Sequence, residues 1–182
     1  MTDTLSDRKS PSLLGLLAVV LPFYVFDQAT KWWIVHNFFP YEERNVPMEY
    51  FDRLVEGRFF SLVNWQNTGA AFSIGTGKNA VFIAISFVAL IGILIAYRRH
   101  AFADKWSRWA VVLLLGGILG NLTDRILHGH VVDFLLFDLN VRFAHPWPAF
   151  NIADSCIFVA VALFIIGSFA GAKPATEKPA GS

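Results

Sequence analysis

Apolar positions gather in four long runs along the chain. Residues 13–34 form the first, broken only by Asp27 and Lys31. Residues 80–97 carry no charge at all. Residues 109–122 are a shorter run, and residues 152–172 hold a single ionisable group, Asp154. A helix rises about 1.5 Å per residue, so a hydrocarbon layer of roughly 30 Å needs about 20 of them. Three runs meet that length. The third meets it only by continuing to about residue 127, which takes in Asn121, Asp124 and Arg125. The pattern predicts four transmembrane helices in an all-α integral membrane protein. A soluble protein with four buried helices is the alternative, but uncharged runs of this length are rare there. Arg8 and Lys9 ahead of the first run resemble the start of a signal peptide. No small-x-small cleavage site follows, and Asp27 and Lys31 sit in its distal third, so an uncleaved first span is expected.

Lysine and arginine set the expected orientation. Arg8, Lys9, Arg98, Arg99, Lys105, Arg108, Lys173 and Lys178 crowd two tails and one short connection. The opposite connections are much longer and hold only Arg44, Arg53, Arg58, Lys78 and Arg142. The dense side is the cytoplasmic one, so both termini lie inside and residues 35–79 and 128–151 lie outside. Residues 1–172 then make one four-helix domain, and the Pro/Ala-rich residues 173–182 a disordered tail.

That orientation collects the intramembrane polar residues at one level. Asp27 and Lys31 fall near the outer end of helix one, and Asn121, Asp124 and Arg125 near the outer end of helix three. Asn151 and Asp154 open helix four, and Asp133 lies just past helix three. Charged groups at membrane depth are costly and usually functional. Asp27 and Lys31 are i,i+4, which favours an ion pair on one helical face. Asn121 pairs in the same way with Arg125, and Asn151 with Asp154 at i,i+3. Gly116 and Gly120 form a small-xxx-small step that lets a neighbouring helix come close.

Composition excludes several classes. Of 182 residues, 55% are apolar and 16% charged, against about 25% charged in soluble domains. The net charge of +1, with no basic stripe, argues against a nucleic-acid partner. A single cysteine allows no intrachain disulfide. Cys156 sits in an apolar stretch and reads as a small hydrophobe. Ser155 and Ser168 have no lysine or histidine base in their helix. His128, His130 and His145 share the second outer loop with Asp133, yet no zinc-binding spacing supports a metal, and no cofactor is expected.

The carboxylates remain. Asp133 and Asp154 flank a loop that can fold back and bring them together. Two close carboxylates share a proton, and such a pair performs acid and base steps on a peptide bond. Asp124, beside Arg125, reads either as a third contender or as an ionised partner in a supporting network. Spacing alone does not rank it below Asp133. A small transporter and a non-catalytic scaffold are the rival readings. A transporter needs polar groups through the full membrane depth, and the inner halves of all four spans nearly lack them.

Five blocks, DQATK (27–31), NTGAAF (67–72), GNLTDR (120–125), VVDF (131–134) and FNIAD (150–154), resemble those of bacterial lipoprotein signal peptidase, or signal peptidase II. They stand in that family's order across nearly the whole chain. The resemblance implies an aspartyl peptidase of the bacterial inner membrane. Such enzymes remove the signal peptide from prolipoproteins, cutting just before a diacylglyceryl-modified cysteine. It implies catalytic roles for Asp133 and Asp154. Asn67, Asn121, Arg125 and Asn151 match polar residues lining the family's site, and Asp27 and Lys31 match its first block. The implied partners are prolipoproteins, membrane lipids and the cyclic peptide inhibitor globomycin. A small β cradle in the first outer loop is also implied, with EGRFFSLVNWQN (56–67) suited to form strands. The stretch between helix one and NTGAAF is longer than usual for the family, and the FAHPWPAF segment is somewhat extended. An acylated cysteine would hold the scissile bond near the headgroup boundary, where the polar layer sits.

Overall fold

The structure is a computed structural model that describes residues 12–38, 59–69, 77–138 and 147–170. Four helices and two strands follow in the order α1 (Leu13–Asn37), β1 (Phe60–Asn67), α2 (Asn79–Arg98), α3 (Lys105–Leu127), β2 (Val131–Phe137) and α4 (Ile152–Ala170). All four helices are long and apolar enough to cross a membrane. Side chains cap the starts of α1 and α3, as one also does for α4. Ser12 Oγ accepts from the Gly15 N–H at 3.1 Å. Asp104 accepts from the N–H groups of Trp106 and Ser107 at 2.8 and 2.9 Å, which starts α3 four residues ahead of its apolar run. At its other end α3 reaches Leu127, as the span length requires. The expected tail at 173–182, the long connection at 39–58 and His145 lie outside the described residues.

α3 is the central helix, packed against α1, α2 and α4. Its middle reads LLLGGILGN, and the glycines explain the packing. A Cβ at Gly117 would run into the Ala153 carbonyl and Ile157 of α4. One at Gly120 would meet the Asp27 carboxylate of α1 and the Ala153 methyl of α4. One at Gly116 would come within 3.1 Å of Phe23 Cβ. The small-residue step therefore serves two neighbours at once. Lipid is as apolar as leucine, so close approach holds these helices together more than apolar burial does. The outward faces are correspondingly greasy, with Leu14, Val88, Phe158 and Phe169 each more than 70% exposed. α2 has no buried residue and packs chiefly on α3.

At one end of the bundle β1 and β2 pair antiparallel, with Phe60 opposite Phe137 and Asn67 opposite Val131. An irregularity between Leu62 and Trp65 shifts the register. The first long connection supplies β1, as its Phe, Val and Trp content suggests. Its partner comes from the second connection: VVDFLLF is a strand, so Asp133 sits on a sheet and not in a loop. Phe150 bridges to Leu135, its N–H donating to the Leu135 carbonyl at 3.0 Å and its carbonyl accepting from Leu135 at 2.8 Å. That bridge returns the chain to β2 immediately before α4. Ile34, Phe38, Val132 and Phe134 form the apolar cluster that seats the sheet on the end of α1.

Candidate active site

The Phe150 bridge determines what comes next in the chain. Asn151 follows it and is the N-cap of α4. Its side-chain oxygen accepts from the Asp154 N–H at 2.9 Å, and Asp154 Oδ2 accepts from the Asn151 N–H at 3.2 Å. This is a reciprocal capping box, with aspartate in the third helical position. It aims the Asp154 carboxylate back over the helix start. The other end of Asn151 reaches β2: its Nδ2 donates to Asp133 Oδ1 at 2.7 Å. One asparagine thus touches both candidate aspartates, although they stand on different elements. Asp154 is half-buried, whereas Asp133 is 1% exposed.

Two further amides complete the surround. Asn67 Nδ2 donates to Asp133 Oδ2 at 2.8 Å. Asn67 lies opposite Val131, so Asp133 is its diagonal neighbour on the same face of the sheet. Asn121 Nδ2 donates to Asp154 Oδ1 at 2.7 Å. Burial holds the Asp133 carboxyl well above the usual carboxylate range, and the charge of Asp154 pushes the same way. The Asn67 and Asn151 donors and Lys31 offset this only in part.

Beneath this layer lies an ionic one. Lys31 bridges Asp27 Oδ2 at 2.8 Å and Asp124 Oδ2 at 2.9 Å, at 3% exposure. The i,i+4 ion pair of α1 is therefore present, and Asp124 joins it as the second carboxylate. The cation beside Asp124 is Lys31 from another helix and not its neighbour in sequence, since adjacent helical residues point in different directions. Asp124 also accepts from the Val132 N–H at 3.2 Å, tying α3 to β2. Asp27 Oδ1 accepts from the Ala153 N–H at 2.8 Å, so α1 satisfies an unpaired amide at the start of α4. Buried ions need such compensation.

Arg125 stands at the flank. Its Nη2 donates to the Gly69 carbonyl at 3.1 Å, and its guanidinium lies 5.2 Å from the Phe82 ring centre. Its i,i+4 partner Asn121 is met only through the backbone carbonyl, at 3.4 Å. All nine candidate residues therefore gather at the sheet end of the bundle. Sequence reasoning passed over Gln28, whose Nε2 donates to Asp124 Oδ1 at 3.0 Å and to the Gly120 carbonyl at 3.2 Å. Its place beside Asp27 in the first block was the available signal. It also passed over Asn79, which holds the Arg125 carbonyl at 3.0 Å. His128 and His130 lie 6.0 Å apart between ring centres. Among the described residues no group of three metal-donor side chains assembles.

Comparisons with known proteins identify the family. The family described as signal peptidase (SPase) II matches residues 19–170. The lipoprotein signal peptidase of Psychromonas ingrahamii is 37% identical over 175 residues, covering 93% of this chain and 91% of that one. That of Aeromonas hydrophila subsp. hydrophila is 39% identical over 171 residues, covering 92% and 95%. A bacterial membrane enzyme solved by the in meso method at 2.3 Å superposes with a TM-score of 0.74 at 29% identity, covering 95% of this chain and 98% of that one. Because the family matches most of this chain and the relatives are covered nearly end to end, the chain belongs to the signal peptidase II family.

Proposed function

We propose that this membrane peptidase removes signal peptides from diacylglyceryl-modified prolipoproteins, with Asp133 and Asp154 as its catalytic pair. The carrying observation is Asn151, which hydrogen-bonds both carboxylates at once. Asp133 keeps the shared proton, because it is the more deeply buried of the two. Asp154 is the ionised member: it is half-buried, accepts two hydrogen bonds, and lies at the positive end of α4. Asp154 takes a proton from water as the resulting hydroxide attacks the scissile carbonyl. Asp133 donates its hydrogen bond to that carbonyl oxygen as negative charge builds there. The proton on Asp154 then passes to the leaving amine, and the peptide bond breaks.

Both termini lie on the cytoplasmic side of the bacterial inner membrane in this reading, and the sheet end faces outward. The excess of lysine and arginine at the other end supports it. The acyl chains of the substrate cysteine then remain in the outer leaflet, and the bond before it meets the polar layer. Globomycin-type cyclic peptides compete for the same place. The test is cleavage by the purified protein of lipidated and unlipidated precursors, beside Asp133→Asn and Asp154→Asn. Cleavage of the lipidated precursor alone, lost in both folded variants, is the expected result. Normal processing by either variant overturns the pair.

A further inference from the structure

Each of the three asparagines at the aspartates has its amide oriented from the far end. Asn67 Oδ1 accepts from the Gly69 N–H at 2.9 Å, and Asn151 Oδ1 from the Asp154 N–H at 2.9 Å. Those two locks are main-chain donors, set by a turn and by a helix start. Asn121 has no such lock. Its Oδ1 accepts from Lys31 Nζ at 3.0 Å and from Asn151 Nδ2 at 3.1 Å. An ammonium has three donors and no acceptor, so the atom facing it must be the amide oxygen. The NH2 group is thereby turned to Asp154.

Lys31 divides its three hydrogens accordingly. Two meet the carboxylates of Asp27 and Asp124, and the third meets Asn121. The two carboxylates already offset the charge of the cation, and the third bond both satisfies its last buried hydrogen and turns Asn121. We infer that Lys31 is a positioning residue: it fixes the Asn121 amide so that a hydrogen-bond donor always faces the Asp154 carboxylate. Without it only the Asn151 Nδ2 bond still holds the amide oxygen away from that carboxylate, so the amide turns more readily, and a turned amide repels the carboxylate and leaves one of its oxygens unpaired. This rests on the proposed role of Asp154, and Lys31 acts on the reaction only through Asn121.

A double-mutant cycle on turnover tests it, with the full-length protein in detergent and a lipidated precursor. Asp27→Asn/Lys31→Met removes the cation together with one of its carboxylates. Asp124 keeps the Gln28 and Val132 donors, and the Ala153 N–H keeps an oxygen at position 27. Removing the partner that orients a working group costs on the order of 10–100-fold, so kcat falls by that factor while KM stays within about threefold. In an Asn121→Ala background the same pair of substitutions costs less than about twofold further, because the amide it oriented is gone. Losses that multiply instead show a lysine that only supports the fold, and overturn the proposal. Lys31→Arg runs the same cycle with the cation retained, should the paired variant not fold. Its rigid planar fork does not reproduce the geometry of the ammonium's bond to Asn121, so the same non-additivity is expected and multiplied losses again overturn it. Wild-type protein that leaves the lipidated precursor uncut removes the aspartate reading itself, a result seen before any Lys31 variant is made.

Discussion

The most buried carboxyl group of the proposed pair is also the one with the clearest pH signature. Asp133 accepts from two neutral amides, and burial raises its folded pKa well above the ordinary 3.8. Below 3.8 the folded and unfolded chains both carry the proton, and its contribution to stability is fully present. As pH rises through the folded pKa that contribution is lost, because the unfolded chain ionises more readily. Asp133→Asn cannot ionise, but its NH2 faces one of two donors, an unsatisfied contact that costs about 1–3 kcal/mol. The variant therefore melts below wild type in acid, and the gap narrows or reverses toward alkaline pH. Paired melting curves across the pH range check this, and a constant gap refutes the raised pKa. Arg125 predicts a different pattern. It holds the Gly69 carbonyl and covers the Phe82 ring, worth about 0.5–2 kcal/mol as a cation–π contact. Arg125→Ala raises KM and lowers the melting temperature, with a smaller effect on kcat. Steady-state kinetics that show unchanged KM and stability with lost turnover would assign it a direct chemical role instead.

Among the elements, α3 carries the heaviest constraint. Gly117 faces the Ala153 carbonyl and Ile157 at the start of α4, where Asp154 stands. Gly117→Ala pushes α4 away and disturbs Asp154, costing about 1–3 kcal/mol as an overpacked contact. Gly92→Ala on α2 has open space around it and raises stability by about 0.5–1 kcal/mol, through the higher helix propensity of alanine alone. Thermal melts of the two variants, with cleavage rates beside them, separate packing from helix propensity. The helices were legible because membrane thickness demands about 20 apolar residues, a long signal that few other structures produce. The Asp27–Lys31 pair was legible because i,i+4 spacing is local. β2 was not legible: VVDFLLF is almost wholly buried on both faces, so the alternation that marks a strand is absent. For the same reason Asp133 looked like a loop residue. Asp124 could not be ranked from spacing because its cation comes from another helix, and only the packing of α1 on α3 brings Lys31 to it. The capping box was half visible as the i,i+3 pair Asn151 and Asp154, but the Phe150 bridge that sets it against Asp133 depends on the sheet.

At the scale of the whole molecule, the ionic layer and the sheet share one end of the bundle, and α2 and α3 are joined by Arg99–Asp104 at the other. Arg98, Arg99, Lys105 and Arg108 surround that second end. Lysine and arginine resist translocation, so these four bias it toward the cytoplasm, together with Arg8, Lys9, Lys173 and Lys178 in the tails. In the proposed orientation the sheet end faces outward, and the acylated cysteine of a substrate reaches the aspartates without crossing the bilayer. Surface labelling distinguishes the two orientations. Phe59 is 57% exposed beside the sheet, and Arg99 follows the last residue of α2. Cys156, the native thiol, is buried and gives little background. A membrane-impermeant thiol reagent applied to intact cells, with the outer membrane made permeable where there is one, labels Phe59→Cys. It labels Arg99→Cys only after the inner membrane is broken. The reverse pattern would put the aspartates on the cytoplasmic face, where a substrate anchored by acyl chains in the outer leaflet cannot meet them. Orientation and function therefore stand or fall together, and the labelling can be read without any assay of cleavage.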